Sequence, residues 1–215
     1  MEFFLDSTNL DEIKDLSEFI DGITTNPSLI AKSEKKSDVL IAEICLAIKG
    51  PVSAQVTATD CNKMIEEGLK LAKIAKNVVV KLPLTYDGLR ACKVLSEKHK
   101  IKVNITLCFS TAQAILAAKA GAYFVSPFVG RLDDLGFDGL SLIEDIATVY
   151  NNYARLNTKI LVASVRSPVH VVEAAKVGAD VVTMPVKVLK QLFNHPLTEN
   201  GLSSFLQDWN KSSQK

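Results

Sequence analysis

No run of apolar residues in the chain approaches the roughly 20 that a membrane span requires, so no transmembrane helix is expected. The opening residues, MEFFLDSTN, are acidic and too short in apolar length for a signal peptide, and a cytoplasmic protein is expected. Neither sign of charge dominates: 25 Lys+Arg face 24 Asp+Glu, a formal net charge of +1. That balance excludes a global field favouring nucleic acid or a membrane surface. There is no C-x-x-C pair. Cys45, Cys61, Cys92 and Cys108 stand far apart, as buried reduced thiols do, rather than as a disulfide framework or a metal set. The three histidines, His99, His170 and His195, are scattered and read as surface or helix-end residues. No metal cluster is therefore expected. Also missing are a linker-like break, so residues 1–215 read as one domain, and a G-x-G-x-x-G turn, the usual mark of a dinucleotide-binding open sheet.

What is there is alternation. Strand-like apolar runs occur at 3–6, 22–25, 52–57, 78–82, 103–107, 123–128, 159–164 and 181–185. Between them lie segments of helical period, several with capping residues: Asn9, Asp60, Thr85, Ser110, Asp138 and the pair Ser167-Pro168. Gly121 and Gly178 follow helical segments and lead straight into strands. Eight β/α units with short connections predict a parallel sheet with right-handed crossovers. They point to a closed (β/α)8 TIM barrel; an open doubly wound sheet is the alternative. Residues 198–210 add an amphipathic helix, expected to pack on its own barrel or on a neighbouring subunit.

Alternate side chains of a barrel strand face the lumen, so polar residues in step within each run are informative. Asp6 is in step with Phe4, Thr24 with Asn26, and Ser53 with Gln55 and Thr57. Lys81 is in step with Val79, Asn104 with Thr106, and Ser126 with Phe128, while Arg131 lies just beyond; Ser164 and Arg166 close the seventh run. Seven of the eight runs thus place polar groups near their C-terminal ends, where barrels of this kind carry active sites. Any one of these could be a solvated loop start. The convergence of an acid, a lysine, amides and hydroxyls is better explained by a site.

Lys81 interrupts the run VVVKLP. Burial in an apolar strand disfavours an ammonium and lowers its pKa, which supplies a neutral amine able to attack a carbonyl. A buried ion pair with Asp6 is the structural alternative. A Schiff-base lysine also needs an acid–base group, and Asp6 is the only carboxylate on the shared face. Arg131, Arg166 and Ser164 form a plausible phosphate clamp, although either arginine alone could be a surface ion-pair partner.

At these residues the sequence resembles the transaldolases, especially the small bacterial and archaeal branch grouped with fructose-6-phosphate aldolase. FFLDSTNLDEI, DGITTNPSLI, VSAQVTATD, VVVKLPLTYDGL, VNITLCFSTAQA, YFVSPFVGRLDD, LVASVRS and FLQDW carry the resemblance, in the family's order. It implies that Lys81 forms the Schiff base and that Asp6 takes the C4 hydroxyl proton during C–C cleavage. Gln55 and Thr106 would hold the proton-relaying water. Thr24, Asn26, Asn104 and Ser126 would bond the sugar, and Arg131, Ser164 and Arg166 would grip the substrate phosphate. The implied reaction moves a dihydroxyacetone unit from a ketose phosphate (sedoheptulose 7-phosphate or fructose 6-phosphate) to an aldose phosphate (glyceraldehyde 3-phosphate or erythrose 4-phosphate), as in the pentose phosphate pathway. The reaction so implied needs neither a metal nor an organic cofactor, because the protonated imine is itself the electron sink. A ring-like homo-oligomer such as a decamer is also implied, with the helix around Phe205 and Trp209 reaching a neighbour.

Two positions separate the family's activities. The aldolases carry tyrosine where this chain has Phe128, and a phenol can help protonate the enamine and release free dihydroxyacetone. Phe128 therefore favours a transferase. Gln55 pulls the other way, because transaldolases commonly carry glutamate there. On balance a transaldolase is expected; a fructose-6-phosphate aldolase and a non-catalytic sugar-phosphate-binding barrel are the alternatives.

Overall fold

In a computed structural model, which describes residues 1–213, eight parallel strands close on themselves in sequence order. They are β1 (Glu2–Asp6), β2 (Gly22–Thr24), β3 (Val52–Gln55), β4 (Val78–Pro83), β5 (Val103–Cys108), β6 (Phe124–Pro127), β7 (Lys159–Val162) and β8 (Val181–Met184). Pairing of β1 with both β2 and β8 completes the ring. The helices are α1 (Leu10–Asp15), α2 (Pro27–Ile30), α3 (Ser37–Ala47), α4 (Cys61–Ala72), α5 (Tyr86–His99) and α6 (Thr111–Lys119). They continue with α7 (Val129–Asp133), α8 (Gly139–Asn151), α9 (Pro168–Lys176), α10 (Val186–Phe193) and α11 (Pro196–Ser212). The expected (β/α)8 barrel is therefore the fold.

The expected caps work as side-chain acceptors. Asn9, Asp60, Thr85, Ser110 and Asp138 each take backbone N–H groups in the first turn of their helices. Ser167 has an extended N-cap backbone but makes no such bond, and Pro168 starts α9. Gly121 and Gly178 sit at φ 78° and 84°, the left-handed geometry that ends a helix at low steric cost. α1 stops at Asp15, short of the apolar period that continues to Ile20. There the chain turns back, because Asp21 bonds the Phe3 backbone at both N–H and C=O and sets the start of β2. β3 stops at Gln55, so Thr57 lies outside the lumen, with its N–H and hydroxyl on the Glu67 carboxylate.

Two apolar layers hold the barrel. Between strands and helices lies a large core that includes Leu5, Ile23, Val80, Leu82, Ile105 and Val182, all at most 1% exposed. Inside the lumen Phe4, Val79, Phe124, Leu161 and Val181 form a separate apolar floor, with Phe4 and Phe124 edge to face at 5.7 Å. Two residues further along the same strands come Asp6, Lys81, Ser126, Ala163 and Thr183. The period-2 pattern thus changes from hydrocarbon to mostly polar groups one layer up, towards the C-terminal mouth.

Lys100, the C-cap of α5, is exposed and left-handed at φ 57° and ψ 27°. A non-glycine residue in this conformation costs about 1 kcal/mol relative to glycine. Lys100→Gly is expected to raise the melting temperature by roughly 2–4 °C in a chain of this size. Calorimetry showing no rise would contradict the strain assigned to this cap.

Candidate active site

The polar layer opens into a cavity of about 550 Å³ at the C-terminal mouth. Asp6, Thr24, Asn26, Gln55, Lys81, Thr106, Ser126, Phe128, Arg131, Ser164 and Arg166 all line it. Eleven of the twelve residues singled out from sequence are thus brought together there. Asn104 is the exception. It is fully buried, with its amide NH2 group donating to Ser53 Oγ at 3.2 Å and its carbonyl accepting from Ser126 Oγ at 2.8 Å. It braces the cavity wall instead of forming it.

Lys81 is 5% exposed, and its Nζ donates to the backbone carbonyl of Thr25 at 3.1 Å. It forms no ion pair with Asp6; the Asp6 carboxylate instead accepts from Thr24 Oγ1 at 3.0 Å. Burial pulls the Lys81 ammonium down to a pKa of about 8, the Asp6 charge opposes this, and the Arg131 guanidinium adds to it. Burial likewise raises the Asp6 carboxyl above its ordinary value, against the lowering influence of Lys81 and the Thr24 bond. The two groups therefore approach each other in acidity without neutralising each other through contact, as general acid–base chemistry requires.

Thr183 of β8 was not anticipated from sequence. It is 4% exposed and lies 2.6 Å from Thr24 Oγ1, whose own proton goes to Asp6, so Thr183 donates. It stands two residues after Val181 in the lumen, and the same parity that marked the other seven strands would have found it. The Thr25 carbonyl on Lys81 was also missed, because a backbone acceptor leaves no mark on residue type.

Among the described residues, Thr106 Oγ1 is the buried side-chain polar atom without a hydrogen-bond partner. Leaving such a hydroxyl unsatisfied costs about 1–3 kcal/mol, and Thr106 lines the cavity together with Lys81 and Gln55 of the two preceding strands. A small polar ligand or a water would satisfy it. Two strained residues lie on the same rim. Leu107 (φ 62°) sits at the irregularity in β5–β6 pairing, and Ser164 (φ 60°) follows β7. Each costs on the order of 1–3 kcal/mol. For Ser164 the strain corrects the parity argument: β7 ends at Val162, Ala163 holds the lumen position, and the left-handed turn brings Ser164 to the cavity.

The far end of the cavity is cationic. Arg131 on α7 stacks over the Phe128 ring, with Cζ 5.0 Å from its centroid. Arg166 pairs with Asp134 at 2.7 Å, both side chains being about half exposed. Gly130 has to be glycine here, since a Cβ would lie 2.2 Å from the Ser164 carbonyl oxygen and 2.7 Å from Arg166 Cγ. Asn26 is the N-cap of α2, not the end of β2, and accepts from the Leu29 N–H at 3.0 Å.

Comparison with known proteins gives relatives of the fold and of the sequence. The barrel is similar to that of 3-hexulose-6-phosphate synthase, with a TM-score of 0.65 over 86% of this chain and 90% of that one, at 18% identity. That likeness concerns the fold. A protein described as "Probable transaldolase" from Parvibaculum lavamentivorans is 57% identical, covering all of this chain and 99% of its own length. One from Caulobacter vibrioides is 58% identical over the same shares, and one from Leptospira biflexa 57% over 98% and 99%. The model of the transaldolase/fructose-6-phosphate aldolase family matches residues 3–215. With a family match that spans nearly all of its length, the chain belongs to the transaldolase/fructose-6-phosphate aldolase family.

Proposed function

We propose that this enzyme is a transaldolase that carries a dihydroxyacetone unit on Lys81 from a ketose phosphate to an aldose phosphate. The observation that carries the reading is a lysine 5% exposed, held by a single carbonyl, without a carboxylate in contact, in a polar cavity. With its pKa near 8, a useful fraction of Lys81 is neutral at physiological pH and can add to the ketose C2 carbonyl. Loss of water from the carbinolamine gives a protonated imine, which is itself the electron sink. Asp6 then takes the C4 hydroxyl proton, the C3–C4 bond breaks, and an aldose phosphate leaves. The three-carbon enamine on Lys81 attacks the acceptor aldehyde while Asp6 returns its proton to the new hydroxyl, and hydrolysis of the new imine releases the product ketose and the free amine. Thr106 and Gln55 are suited to hold the water removed and returned in these steps. Thr24 and Thr183 hold Asp6, Asn26 and Ser126 bond the sugar, and Asn104 acts through Ser126. Arg131, Ser164 and Arg166 take the phosphate.

Substrates of this kind place the enzyme in the pentose phosphate pathway, and its four buried, unpaired thiols suit a reducing cytoplasm. Gln55 favours a second reading, a lyase that releases dihydroxyacetone without an acceptor, because a neutral amide is a poorer proton acceptor than glutamate. Phe128 favours the transferase: its ring lines the cavity, supports Arg131 and has no proton to give the enamine.

A homo-oligomer completes the proposal. α11 buries no residue against its own barrel, yet Leu202, Phe205, Leu206 and Trp209 recur at one-face helical spacing and are 55–75% exposed. A second copy of the chain is the proposed cover.

Two outcomes are expected. Turnover of fructose 6-phosphate, followed as glyceraldehyde 3-phosphate, should depend on added erythrose 4-phosphate, and Phe128→Tyr should raise the acceptor-independent rate several-fold. Rapid cleavage by the parent enzyme without acceptor would establish the lyase instead, and no turnover at all the binding barrel. Sedimentation should show an assembly that Phe205→Glu/Trp209→Glu breaks into smaller species; a monomeric parent protein would refute the oligomer.

A further inference from the structure

The two arginines of the cationic end sit on different segments: Arg131 on α7, and Arg166 on the loop between β7 and α9. Their separation depends on how α7 is fastened to that loop. At its N-terminal end the fastening is backbone to backbone. Val129 N–H donates to Ala163 O and Gly130 N–H to Ser164 O, both at 3.1 Å. At its C-terminal end it passes through His170, in the first turn of α9. His170 Nδ1 accepts the Arg166 backbone N–H at 3.2 Å, and Nε2 lies 3.1 Å from Asp133 Oδ2. With Nδ1 accepting, Nε2 carries the proton and donates to Asp133. The other oxygen of Asp133 accepts the Gly139 N–H at 3.0 Å, which ties the carboxylate to the start of α8. The imidazole is only 15% exposed and is not part of the cavity wall.

We propose that His170 is a positioning residue that sets the geometry of the phosphate clamp, by joining the backbone N–H of Arg166 to Asp133, two residues after Arg131 on α7. The inference rests on the reading that these arginines hold the substrate phosphate. His170 touches neither substrate nor Lys81, so its contribution is to affinity for the phosphate end and not to Schiff-base formation. A guanidinium pair held at fixed separation loses less freedom on binding a phosphate than one on two loose segments. The half-exposed Arg166 side chain packs over Gly130 and pairs with Asp134, and an exposed pair of that kind is weak. The backbone bond to His170 therefore carries much of its placement.

The test uses the full-length enzyme and two polar amide substitutions of the imidazole. His170→Gln lacks an acceptor at the Nδ1 position, whereas the side-chain oxygen of His170→Asn replaces it. For His170→Gln we expect about a tenfold rise in KM for fructose 6-phosphate, and a matching rise in the inhibition constant of inorganic phosphate. Its kcat should stay within about twofold. Borohydride trapping of Lys81 by unphosphorylated dihydroxyacetone should proceed at the parent rate. His170→Asn restores the acceptor for the Arg166 N–H but not the donor to Asp133, so it should recover KM and phosphate inhibition in part, to about threefold of the parent. Parent-like KM in His170→Gln would overturn the proposal, as would a parallel loss of kcat and dihydroxyacetone trapping with a lowered melting temperature. If phosphate fails to inhibit the parent enzyme, the assignment of the arginines fails, and this inference with it. If phosphate inhibits the parent and His170→Gln equally, the inference alone fails.

Discussion

The structure depends on one costly arrangement: the ammonium-bearing side chain of Lys81 buried in the barrel lumen with one backbone carbonyl as its direct partner. Desolvation outweighs the attraction of Asp6, and the pKa falls from 10.5 to about 8. By linkage, the unfolded chain binds more protons than the native one between these values. Stability from this group therefore rises as pH climbs from about 8 towards 10.5, and below pH 8 its full penalty, roughly 3 kcal/mol, is present. The barrel tolerates that penalty because its two apolar layers are otherwise closed. The same penalty makes the amine reactive near neutral pH, so stability and activity oppose each other at this residue.

The surroundings of Lys81 fit the same logic. The apolar floor beneath it keeps the amine dry, while Ser53, Asn104 and Ser126 form a satisfied hydrogen-bond chain beside it. The deviations from good local structure cluster at the mouth: the partnerless Thr106 hydroxyl and the left-handed Leu107 and Ser164. Unsatisfied and strained groups persist where the surrounding fold fixes them and a ligand has use for them. Here all three line one cavity, and that cavity is the one Lys81 enters.

Much of this was legible in the residues themselves, because parity is a strict consequence of the strand. Phe4 and Asp6, Val79 and Lys81, and Phe124 and Ser126 alternate through the lumen as their spacing predicts. The features that residue type does not show have physical causes. Parity ends with the strand, so Thr57 turns to Glu67, while Ser164 reaches the cavity by a left-handed turn that residue type does not announce. Thr183 meets Thr24 across 159 positions and gains its meaning only when the barrel closes. Asn104 has the parity of a ligand-binding residue, but both ends of its amide are already taken by neighbours. His170 reads as an ordinary helix-end histidine until α7 is placed beside it. Composition and period specify faces; long-range closure specifies partners.

The central claim is that a neutral Lys81 amine carries the three-carbon unit. Its most direct test is reduction with borohydride in the presence of fructose 6-phosphate, followed by peptide mass analysis across a pH series. A three-carbon adduct on Lys81 alone is predicted, forming at a rate that rises with pH through a midpoint near 8. Trapping on another lysine by an active enzyme, or a midpoint near the ordinary lysine value, would contradict the account.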